Sequence, residues 1–81
     1  MQEIKEDRLV DARNLLCPMP VMAAAKEMKL MESNQVMKIL ATDRGALADF
    51  PAWADDTGNE LLATAEEDGV FVFYIRKGSD G

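Results

Sequence analysis

The chain has 81 residues, 48% of them hydrophobic and 30% charged, which is enough for one core and leaves no room for a second domain. Fifteen acidic against nine basic side chains give a net charge of −6, which disfavours direct binding to nucleic-acid phosphates, and the absence of histidine removes His-based metal sites and Ser-His or Cys-His pairs. With a single cysteine, Cys17, the chain has no internal disulfide, no Cys-x-x-Cys redox pair and no zinc knuckle.

In chain order, residues 1–7 are polar and lack the apolar stretch of a signal peptide, so they read as a flexible lead-in. No apolar run reaches the roughly 20 residues needed to span a bilayer. A cytoplasmic location without membrane contact is expected. Residues 8–12 form a short strand. Residues 18–32 read as a helix, with Val21, Ala24, Ala25, Met28 and Met31 on one stripe and Lys26 and Lys29 off it. Ser33-Asn34 ends that helix, since Asn tolerates the left-handed cap conformation.

Residues 35–42 alternate as a second strand, with Met37, Ile39 and Ala41 on one face. The turn Thr42-Asp43-Arg44-Gly45 follows. Pro51 is disfavoured inside a helix, so the expectation is a short turn at 46–48 and then a helix capped by Asp49, with Pro51 in its first turn and Gly58 at its end. Residues 60–66 and 70–77 are strands of a hairpin around Asp68-Gly69, and residues 79–81 are a tail.

The order βαβαββ implies a right-handed parallel crossover followed by an antiparallel hairpin. The fold class expected is α/β, a two-layer sandwich of a mixed four-stranded sheet with two helices on one face. A single domain over residues 8–78, acting as a monomer, is the corresponding organisation.

The informative stretch is Asp11-Ala12-Arg13-Asn14-Leu15-Leu16-Cys17-Pro18-Met19-Pro20. Cys17 falls at the start of the first helix, where Pro18 at N1 and Pro20 at N3 cost no helical hydrogen bond and stiffen the turn. Such a position favours thiolate, so a partly exposed Cys17 with a lowered pKa is expected. Cysteine is also a common core residue, and composition alone leaves packing and chemistry both open. Asp43 reads either as a cap for the turn after the second strand or as support for the cysteine loop. Trp53 reads as packing, as do Met28, Met31 and Met37. Arg13 and Lys26 are the bases nearest Cys17 in sequence, with solvated charge the ordinary role for Lys26.

The run Asp-Ala-Arg-x-Leu-x-Cys-Pro-x-Pro resembles the TusA-like (SirA/YedF) sulfur-carrier family. So do Lys26, Thr42-Asp43, Asp49-x-Pro51-x-Trp53, Gly58-x-Glu60-Leu61 and Phe73-x-Ile75-Arg76-Lys77. The resemblance covers about residues 9–78. It implies a carrier, with no cofactor, whose Cys17 accepts sulfane sulfur as a persulfide and relays it between proteins. Implied donors are cysteine desulfurases or rhodanese-type proteins, and implied acceptors are DsrE-like relay proteins serving tRNA thiolation, molybdenum-cofactor assembly or sulfur oxidation. Pro18, Pro20 and Asn14 would support the cysteine turn, and Arg13, Met19, Lys26 and Asp43 would touch a partner or the persulfide. Asn14 and Asn34 stand where many members of the family have Gly, and Met19 where some carry Glu. Two alternatives remain: a single-thiol redox protein, and a regulatory binding module with a structural cysteine.

Overall fold

The computed structural model describes residues 4–78. Its elements run β1 (Arg8–Ala12), α1 (Met19–Met28), β2 (Val36–Ala41), α2 (Ala46–Thr57), β3 (Glu60–Glu67) and β4 (Val70–Arg76). The sheet order is β1-β2-β4-β3, with β1 parallel to β2 and both other pairs antiparallel. This is the mixed four-stranded sheet that the element order predicts.

Strand alternation decides which face carries the helices. Met37, Ile39 and Ala41 of β2 lie opposite Ile75, Phe73 and Phe71 of β4, and all six are buried. Val10 and Ala12 of β1 continue that face, and Ala24, Met28, Ala46, Phe50 and Ala54 cover it from α1 and α2. Phe50 stacks on Phe73 with ring centroids 4.8 Å apart and meets Trp53 edge-on at 6.1 Å. Both helices therefore share one sheet face, and Lys38, Tyr74 and Leu9 lie on the other.

Three boundaries differ from the sequence reading. Helix α1 begins at Met19, so Pro18 is its N-cap and Pro20 its second residue, not N1 and N3. It ends at Met28 and not near residue 32. Leu30 and Met31 donate to carbonyls three residues back, and this tighter path turns Met31 into the core. Asn34 then takes the left-handed conformation with φ 74°, as its position at the helix exit predicts.

Helix α2 runs uninterrupted through Pro51 and starts at Ala46, without a side-chain cap. The buried stripe Ala46, Phe50, Ala54 recurs every four residues and requires one continuous helix. The hydrogen bond that Pro51 forgoes is to Leu47, which lies on the exposed side of α2 where water can serve its carbonyl. Asp7, the last residue of the lead-in, exchanges hydrogen bonds with Val36 at 2.7 and 2.8 Å. The expected tail at 79–81 lies outside the described residues.

Candidate functional site

Parallel neighbours end on the same side of a sheet, so the loops after β1 and β2 meet there. The first loop carries Cys17 and the second carries Thr42 and Asp43. Asn14 turns the first loop with φ 69°, and its N–H donates to the Thr42 hydroxyl at 2.8 Å. Three residues nearer α1, the Cys17 N–H donates to Asp43 Oδ2 at 2.8 Å. Of the two roles open to Asp43, its carboxylate thus supports the cysteine loop and does not cap α2.

The thiol has a partner of its own, distinct from this backbone clamp. Cys17 is exposed, and its Sγ donates to Asp49 Oδ2 at 3.1 Å. Asp49 is therefore not the N-cap that the proline spacing predicts. It lies inside α2, on the stripe Asp49, Ala52, Trp53, Asp56 that follows the i, i+3, i+4, i+7 rule. This stripe, with Cys17, Pro18 and Val21, lines a shallow depression of about 300 Å³.

The thiol pKa is raised, not lowered as expected. The hydrogen bond to Asp49 is the largest cause, followed by desolvation and the negative charges of Asp49 and Asp43. The helix start supplies little to oppose them. Pro18 and Pro20 have no N–H, and the Met19 N–H is taken by the Leu16 carbonyl. Prolines that stiffen the turn thus remove the donors that stabilise thiolate at other helix termini.

The remaining candidates separate by position. Leu16, Met19 and Met22 are exposed around the loop and the start of α1, forming an apolar rim. Pro20 is buried beneath it. Arg13 forks both arms onto Asp11 at 2.8 Å, and this pairing holds the Asp11 carboxyl at about 2. Lys26 is exposed near the far end of α1 and does not line the depression. Trp53 packs against Phe50 and also forms one wall of the depression. Among the described residues, no group of three or more His, Cys, Asp or Glu is placed to hold a metal.

Sequence reasoning missed Asp49 as the partner of the thiol. Its spacing to Trp53 and Asp56 was the available signal, because it puts all three on one face of α2.

A flat α/β domain that presents one exposed thiol between a strand and a helix defines a class of small thiol proteins. Within that class the chain belongs to the TusA family, whose profile, described as "Sulfurtransferase TusA", matches residues 8–77. It is 46% identical to the sulfur carrier protein TusA of Allochromatium vinosum over 88% of this chain and 93% of that protein. A longer protein of Aquifex aeolicus is 42% identical over 99% of this chain, which spans 41% of that relative's length. The crystal structure of a SirA-like protein from Desulfitobacterium hafniense matches with a TM-score of 0.72 at 27% identity, covering 88% of this chain and 97% of that one.

Proposed function

We propose that this chain is a sulfur carrier that holds sulfane sulfur as a persulfide on Cys17 and relays it from a donor protein to an acceptor protein. The observation that carries this reading is the exposed, lone thiol beside an open depression, on a loop whose Cys17 N–H is held by Asp43. The names of the relatives support it.

The chemistry is an exchange. The Cys17 thiolate attacks the outer sulfur of a donor persulfide and a bond forms between Sγ and that sulfur. The donor's S–S bond breaks, and its electron pair leaves with the donor cysteine, which takes up a proton. One thiol and one persulfide are consumed and one of each is produced, so no oxidant is needed. Attack by an acceptor thiolate on the outer sulfur of Cys17 repeats the exchange. No second cysteine exists in the chain to discharge the adduct as sulfide.

Residues 8–78 form the carrier unit in this reading, with a cysteine desulfurase or rhodanese-type protein as donor and a DsrE-like protein as acceptor. The apolar rim of Leu16, Met19 and Met22 is the contact centre for both. Incubation with a cysteine desulfurase and L-cysteine should add the mass of one sulfur atom, reversibly by reductant and not at all in Cys17→Ser. An unchanged mass with every donor, together with glutathione-dependent disulfide reduction, would replace the carrier with a redox protein.

A further inference from the structure

The contact between Cys17 and Asp49 is the feature that a carrier thiol does not require. A nucleophilic thiolate is ordinarily stabilised by a neighbouring cation or a helix terminus, and here the thiol instead faces a carboxylate at 3.1 Å, whose negative charge disfavours thiolate. Asp43 adds a second negative group through the Cys17 backbone, and Asp56 a third on the wall of the depression. Among the described residues, no lysine or arginine lines that depression. Arg13, the nearest base in sequence, is committed to Asp11.

We propose that Asp49 determines which sulfur sources Cys17 accepts: it retains the thiol proton until a cationic side chain of the donor protein enters the depression and takes the Asp49 carboxylate as its partner. This rests on the carrier reading and adds the chemistry of the donor's contact. In the isolated protein Asp49 opposes formation of thiolate, so small electrophiles and free polysulfide meet an unreactive thiol. In the complex the donor's lysine or arginine pairs with Asp49 and Asp56. The hydrogen bond to Sγ is given up, the proton passes to solvent, and the thiolate forms beside the donor persulfide. The raised thiol pKa is consistent with this arrangement. Free polysulfide would react by the same balance, with Cys17 thiolate taking a terminal sulfur and releasing a chain one sulfur shorter.

The test compares wild type with Asp49→Asn, which preserves the shape and an acceptor oxygen but removes the charge, and with Asp49→Glu, which restores it. In wild type the rate of alkylation by iodoacetamide should inflect above the ordinary thiol pKa. In Asp49→Asn the inflection should move down, and alkylation and polysulfide uptake at neutral pH should rise about tenfold, the scale of removing one neighbouring charge. Asp49→Glu should behave as wild type.

Loading by a cysteine desulfurase with L-cysteine should slow in Asp49→Asn and not accelerate, because the donor already relieves the restraint in wild type and loses its carboxylate partner in the variant. Equal acceleration with desulfurase and polysulfide would overturn the donor's part. A wild-type inflection at or below the ordinary thiol value would overturn the restraint without needing any variant to fold. If wild type took up no sulfur from any donor, the carrier reading and the donor's part would fall together. The alkylation series would still decide the restraint by Asp49.

Discussion

Asp43 and Asp49 act on different atoms of the same residue, and their substitutions should separate. Asp43 holds the Cys17 backbone, so Asp43→Ala should lower stability by about 1.5–3 kcal/mol, the range for a hydrogen bond to a charged group, as measured by urea unfolding. Asp49 holds the thiol proton, and its effect depends on pH. The folded Cys17 has a raised pKa, so its contribution to stability is present below the unfolded thiol's pKa and is lost as pH rises through the folded value. Between neutral and alkaline pH, wild type should therefore lose thermal stability more steeply than Cys17→Ser. Parallel curves would show that the thiol adds nothing to folding. At this scale Cys17, the two prolines and both asparagines are legible in the sequence, because each has a local backbone reason to be where it is. Asp49 is not legible in the same way. Its role depends on a contact across 32 residues, and its nearness to Pro51 suggests a cap instead.

Helix α2 shows how burial overrides a local preference. Pro51 argues for a late helix start, whereas the stripe Ala46, Phe50, Ala54 needs an early one, and the stripe prevails because each of its members is buried. Pro51→Ala would restore the missing bond to the Leu47 carbonyl while giving back some unfolded-state entropy. The net effect should be a gain of about 1–2 kcal/mol in unfolding free energy. A loss would mean that Pro51 is needed to set the direction of Asp49 and Trp53. The end of α1 depends on a residue far away in the chain. Lys77 Nζ donates to the carbonyls of Met28 and Met31 at 3.0 and 2.6 Å, placing its charge at the negative end of the helix. The sequence pattern marks Lys77 only as the end of a strand, since the closing of the β4 end against α1 is a tertiary event. Gly78 next to it must lack a side chain, as a Cβ there would lie 2.0 Å from the Gly58 carbonyl oxygen.

The whole molecule is a slab, 31 by 31 Å across and 18 Å thick, whose candidate site lies at the edge where β1 and β2 end. Alternation along the strands makes this architecture legible, because only one face of β2 and β4 is continuously apolar. The edge is acidic beside the thiol, and the chain as a whole carries −6. A donor with a cationic docking face would be drawn toward it over distances of about a Debye length, roughly 8 Å at physiological salt. The association rate with a cysteine desulfurase should therefore fall as sodium chloride is raised, while the dissociation rate, governed by the apolar rim of Leu16, Met19 and Met22, should change less. Asp56→Asn, which removes one charge from the depression without touching the Sγ bond, should flatten the salt dependence. Met19→Glu adds a charge at the rim and removes an apolar contact, so it should speed dissociation while preserving the steering. Stopped-flow association at several ionic strengths distinguishes these effects. A rate indifferent to salt would leave apolar contact as the sole basis of recognition and would remove the cationic donor face from the account.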